Sequence, residues 1–190
     1  MIRLTVTWLA LASAPARDFT PERVLDGVAI ASRSVEGSGY SELQFQLDVD
    51  GEATALCARI FGDGRVQPGE PYVLKREVLR QQGPNERVTW ELIAPPMVSR
   101  RDMVVRTVRQ DGPRGCRVDF EAIADAHADE DAVRVAALRG SFVVTPVAAG
   151  KLHVEHRIHF DPGGLLSPFV VEPGRRSVGV TWLRRLVRGS

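Results

Sequence analysis

Cysteine is scarce in this sequence: Cys57 and Cys116 are the only two among 190 residues. Two cysteines make neither a disulfide framework nor a zinc ribbon, and no CxxC spacing is present. The two would pair if the chain is exported. Cys57, however, reads as buried in a helix, and two separate buried thiols are the simpler expectation. Long apolar runs are also missing: none reaches the roughly 18 residues needed to span a bilayer, so no transmembrane segment is expected. Excess charge is missing as well. A formal net charge of +1 makes no electrostatic case for nucleic acid. The local cluster Arg184, Arg185 and Arg188 reads as a helix end favoured by the macrodipole. There is no GxSxG elbow and no GxGxxG or GxxxxGK[ST] phosphate loop, so no catalytic residue and no cofactor is expected.

What is present suits one soluble globular domain with a substantial core: 44% apolar and 26% charged residues over 190 positions. The first sixteen residues, MIRLTVTWLALASAPA, place Arg3 before an apolar run from Leu4 to Ala12, and Ala14-Pro15-Ala16 has the small-x-small form of a signal-peptidase site. LTVTWLAL would also serve as a buried strand. We expect residues 1–16 to be a signal peptide and residues 17–190 to be a single domain. Removal of the leader implies a periplasmic or secreted protein; otherwise the chain is cytoplasmic.

From Val28 onward the pattern alternates. VAIASRSV (28–35) and YSELQFQLDV (40–49) flank a Gly-Ser-Gly turn and read as a hairpin. DGEATALCARIF (50–61) reads as a helix, with Asp50 as N-cap and Ala53, Leu56, Cys57 and Ile60 on one face. Strand-like runs follow at 72–80, 87–94, 103–110, 116–124, 138–147 and 151–160, joined by short Gly- and Pro-bearing turns. After Asp161-Pro162-Gly163-Gly164 the period becomes helical, with Leu165, Leu166, Phe169, Val170, Val178, Trp182 and Leu186 as inward positions. Pro173-Gly174 predicts a kink or two consecutive helices. Strands and helices are segregated, which makes the class α+β with an antiparallel sheet.

Alternation places Val88, Trp90 and Leu92 on an apolar face, with Val118, Phe120 and Ala122 on another strand and Val154, His156, Ile158 and Phe160 on the last. A curled sheet crossed by one helix leaves interior space, which would suit a hydrophobic molecule. A solid core would satisfy the same pattern. Glu91, Asp119 and Glu121 then face solvent.

His153, His156 and His159 fall within seven residues. On a strand, His153 and His159 share a face roughly 20 Å apart while His156 points the other way. One metal ion with bonds of about 2 Å cannot bridge them, so no metal site is expected. Ser99-Arg100-Arg101-Asp102 reads either as a polar clamp at a pocket mouth or as a pin holding the chain where it enters the sheet.

Taken together, APPMVSRRDMVVRT, LRGSFVVTP and LHVEHRIHFDPGGLLSPFVV resemble a bacterial member of the START superfamily, in the Bet v 1-like, polyketide cyclase/dehydrase-like (SRPBCC) group. Pro95, Val98, Ser99, Arg101 and Asp102 match a first motif; Gly140, Ser141 and Pro146 match a second, with Phe142 where tryptophan is usual; residues 158–164 match a third. Pro96-Met97 departs from the usual Trp-Pro pair. The resemblance implies a helix-grip fold, a curved antiparallel sheet wrapped around a long C-terminal helix, enclosing a tunnel for a lipid or other hydrophobic small molecule. The expected function is non-enzymatic binding or transfer, by a monomer, with room for transient membrane contact. Trp90, Leu92, Arg106, Phe120, Phe142, His156, Ile158, Phe169 and Trp182 are the expected cavity lining. A cyclase- or isomerase-type enzyme on the same fold is the alternative, with His156 and Arg106 as its inward ionisable groups. A partner-binding domain with a collapsed cavity is a third.

Overall fold

The structure, a computed structural model, describes residues 19–67, 70–96 and 98–188; the expected leader lies outside the described residues. These residues form ten strands and two helices: β1 (Thr20–Leu25), β2 (Val28–Arg33), β3 (Glu42–Asp50), α1 (Ala53–Phe61), β4 (Val73–Gln82), β5 (Glu86–Ile93), β6 (Arg101–Gly112), β7 (Gly115–Ala122), β8 (Val133–Arg134), β9 (Ala137–Ala148), β10 (Lys151–Asp161) and α2 (Pro168–Arg188). Nine strands make one antiparallel path, β1-β2-β3-β10-β9-β7-β6-β5-β4, and the two-residue β8 pairs in parallel with β6. This is the α+β helix-grip architecture: a curved sheet closing on a C-terminal helix.

Three boundaries differ from the sequence reading, each for a physical reason. The sheet begins earlier, because Asp26-Gly27, both at positive φ, make a tight turn that folds β1 onto β2. The first helix begins later, at Ala53. Asp50 belongs to the end of β3 opposite Lys151 of β10, and Glu52 occupies the N-cap without a side-chain hydrogen bond. The C-terminal segment is a single helix of 21 residues with Pro173 inside it, not two. Proline at the sixth position removes only the hydrogen bond to the Phe169 carbonyl, near an end where such bonds are already incomplete.

The core lies where α1 and the C-terminal half of α2 rest on β2, β3, β7, β9 and β10. Phe45, Val144, Val154, Val180 and Leu183 are among its fully buried members. At Gly179 the helix comes close to the sheet: a Cβ there would stand 2.4 Å from Cζ of Phe45, so glycine lets the helix sit this low. The N-terminal half of α2 is tethered by polar groups instead. Arg175 donates to the Ser41 carbonyl, the Ser41 amide donates to Glu172, and Arg176 bridges Glu172 and Glu22. The hydrogen bond from Arg176 holds the Glu22 carboxyl at about 2.

Ser99–Asp102 proves to be the pin. Arg101 is 2% exposed and donates to Ser99 Oγ at 2.6 Å and to the carbonyls of Pro162 and Gly163, fastening the corner between β10 and α2. Asp102, at 1% exposure, accepts from Trp90 Nε1, from the Asp129 amide and from Arg134, and so fastens the long β7–β9 connection over the outside of the sheet.

Cys57 of α1 and Cys116 of β7 form a disulfide, which corrects the expectation of two separate thiols. The two sulfurs and Asp111 are the only metal-type cluster among the described residues, and the S–S bond consumes the thiolates that a metal would need. With its ends 59 positions apart in the sequence, the bond is worth about 4 kcal/mol in the chain-entropy account. Replacing both cysteines with serine is expected to lower the thermal midpoint by roughly 8–16 °C. Reductant should reproduce that shift in the native chain and leave the double variant unaffected, as calorimetry would show.

Candidate functional site

The concave side of the sheet is only partly filled by α2. A cavity of about 700 Å³ remains between the helix, the inner faces of β3–β7, β9 and β10, the end of α1, and residues 62–67 and 70–73. That is within the roughly 300–1,000 Å³ range of small-molecule sites. Most of its wall is apolar. The inward residues of β6 are Met103, Val105 and Thr107; β10 supplies His156, Ile158 and Phe160.

Five of the nine expected lining residues stand on this wall: Phe120, Phe142, His156, Ile158 and Trp182. Four do not. Trp90 and Leu92 face the outside of the sheet, where they form a second apolar cluster with Val88 and Val104. Ile123 and Ala132 of the β7–β9 connection cover that cluster, and His127 packs its ring against Trp90 at 4.9 Å. An apolar face here marks a buried face, but the cover is a loop rather than the cavity. Arg106 follows the same register outward, donating to Glu86 at 2.8 Å and Glu121 at 3.5 Å. Phe169 is 89% exposed, because the first turns of α2 extend past the point where the helix is seated. Leu165 precedes the helix and is fully exposed, and Val170, though 64% exposed, borders the cavity.

The reversed face of β5 brings in a polar group the sequence reading assigned to solvent. Arg87, Thr89, Glu91 and Ile93 point inward. Glu91 accepts from both Nε and a terminal nitrogen of Arg76 (2.9 and 3.2 Å), and from Thr89 at the first of its oxygens. The other terminal nitrogen of Arg76 donates to both oxygens of Glu70. Burial opposes the charge on Arg76, and the two carboxylates more than offset it, raising its proton affinity. A periodic signal was available: the β5 residues read Arg-x-Thr-x-Glu on one face. Charged residues on a strand default to solvent, so that signal alone would not distinguish the two sides.

His156 is 2% exposed and lies parallel to the Phe142 ring at 4.0 Å, with Phe45, Phe120 and Trp182 around it. Its Nδ1–H donates to the Ser141 carbonyl at 3.2 Å, which fixes the tautomer and leaves Nε2 as an acceptor. Burial drives its pKa from 6.5 down to about 4, against the Ser141 hydrogen bond, so the ring is neutral at ordinary pH. His159 faces the other side, against Ser38 Oγ at 3.1 Å, and His153 pairs with Asp48 at the surface. The histidines thus do not converge.

No family model and no curated protein matches this sequence. Solved structures do match in shape. A STAR-related lipid transfer protein from Xanthomonas axonopodis aligns at TM-score 0.78 and 20% identity, over 90% of this chain and 97% of that one. Human STARD10 aligns at TM-score 0.80 and 12% identity, over 92% and 73%. The Zhui aromatase/cyclase from a Streptomyces species aligns at TM-score 0.53 and 14% identity, over 77% and 90%. The fold is therefore that of START-type domains, one shared by lipid transfer proteins and cyclases. At these identities the likeness establishes architecture and leaves the ligand open.

Because the folded pKa of His156 is lowered, its burial contributes full stability above about pH 6.5 and loses it as pH falls toward 4. The span corresponds to about 3 kcal/mol. Urea titrations of the native chain and His156→Gln at pH 7.5 and pH 4 should show a smaller acid-induced loss in the variant. Equal losses would mean that the ring is not held neutral.

Proposed function

We propose that this protein binds or carries a hydrophobic small molecule, without chemical change, in the cavity under α2. The observation that supports the reading best is the cavity itself: about 700 Å³, mainly apolar, with one polar end formed by Arg76, Arg87, Thr89 and Glu91. Apolar ligand surface moved from water into such a space gains roughly 25 cal/mol per Å². The exposed first turns of α2 border the cavity and form its gate, since they are a wall segment not seated in the core.

The enzyme reading draws on the ionisable groups in the wall. A general base needs a free lone pair within reach of substrate. Glu91 and Glu70 are both ion-paired with Arg76, while Nε2 of His156 accepts from no protein donor among the described residues. A single neutral imidazole suits orientation of a ligand hydroxyl better than acid–base chemistry.

Export fits the same picture. A disulfide between α1 and β7 persists in an oxidising compartment, which is where a cleaved 1–16 leader would deliver the chain. No helix among the described residues is long and apolar enough to cross a membrane.

Native mass spectrometry of protein purified from its own host should show an added hydrophobic molecule and a mass lacking residues 1–16. Unliganded protein alone would count against binding. A bound molecule that is altered on incubation would favour the enzyme.

A further inference from the structure

The cavity wall carries six arginines and only two glutamates, in a chain whose formal net charge is +1. Most of these arginines have an evident counterpart. Arg76 is matched by Glu70 and Glu91, and Arg175 by Glu172 at 2.5 Å. Arg65 lies 3.9 Å from Asp63, and Arg59 donates to the last carbonyls of α2.

Arg87 differs. It is 6% exposed and has no carboxylate partner among the described residues. Its terminal nitrogens donate to the carbonyls of Phe61 and Gly62 at the C-terminal end of α1, and its guanidinium stacks on the Phe61 ring at 4.3 Å. Those contacts use two of its five N–H groups. The helix end contributes about half a negative charge, not a whole one. Burial and the neighbouring Arg76 weaken its hold on the proton by more than the carboxylates of Asp63 and Glu91, which are out of ion-pair reach, strengthen it, and a guanidinium stays charged at any ordinary pH. A buried cation without a full counter-ion is costly, and here it stands in the wall of a cavity.

We propose that the cavity takes an amphiphile with an anionic head, a carboxylate or phosphate monoester on a long apolar chain, and that Arg87 holds the head. This rests on the cavity being the ligand site. The chain then lies along Phe120, Phe142, Ile158 and Trp182, and the head supplies the charge that Arg87 lacks. Arg–carboxylate and Arg–phosphate pairs are strengthened by exclusion of water and by the fork geometry of the guanidinium.

The test is calorimetric titration of the full chain with dodecanoate, dodecyl phosphate and dodecanol, which share one tail. At pH 7.5 at least one anion should bind tenfold or more tightly than the alcohol, equivalent to about 1.4 kcal/mol. The tighter of the two identifies the head. Arg87→Gln should bring the anion-to-alcohol ratio to within about threefold, while Arg87→Lys, which keeps the charge, should retain most of it. Equal affinities for all three in the native chain overturn the inference but leave the binding reading standing. Failure of all three to bind overturns both. A preference that survives in Arg87→Gln overturns the role of Arg87. If circular dichroism shows that Arg87→Gln does not fold, the native ratio and Arg87→Lys decide, and a native ratio under threefold is the contrary result.

Discussion

The seat of α2 on β3 governs the rest of the molecule. Gly179 brings the helix backbone down onto Phe45, and Val180 and Leu183 complete the contact with no exposed surface. Seated there, the helix fills part of the concave side of the sheet. The cavity runs beside this seat along the length of the helix, from Val170 through Val178 and Trp182 to Leu186, between the helix and the rest of the sheet. The polar tethers from Arg175 and Arg176 hold the N-terminal half of the helix in place without closing that space.

Two fastenings keep the frame in shape around the opening. The disulfide joins α1 to β7, so the helix that borders one end of the cavity cannot drift from the sheet. Arg101 fixes the corner through which β10 passes into α2, by donating to carbonyls that would otherwise be buried without partners. Between them lies a wall of mixed character. The aromatic group around His156 is apolar and uncharged, whereas the β4–β5 side concentrates charge. A cavity with one apolar and one charged end suits a molecule built the same way, and such a wall both admits a ligand and orients it.

Much of the fold was legible in the sequence because alternation and turn chemistry are local. Eight of the strands fall within a few residues of their apolar runs, and the Asp-Pro-Gly-Gly corner marks the start of the helical segment. The candidate site was legible only on β7, β9, β10 and α2, where the apolar face and the cavity face coincide. On β5 they do not coincide. Trp90 and Leu92 are apolar because a loop from residues far along the chain covers them, and no local pattern announces that cover. The opposite face then carries Arg87, Thr89 and Glu91 inward, against the usual fate of charged residues on strands. The Cys57–Cys116 pair was open in the sequence but not decided there, for a related reason: it depends on how α1 crosses β7, and a separation of 59 gives no clue to that crossing.

The central claim is that an apolar chain occupies the space beneath α2. It is tested most directly by nuclear Overhauser contacts between the terminal methyl of a ¹³C-labelled long-chain amphiphile and the aromatic rings of the protein. Contacts to the rings of Phe120, Phe142 and Trp182, which stand on the cavity wall, are the predicted result. Contacts confined to the exposed ring of Phe169, with the interior rings silent, would place the ligand on the surface and contradict the account.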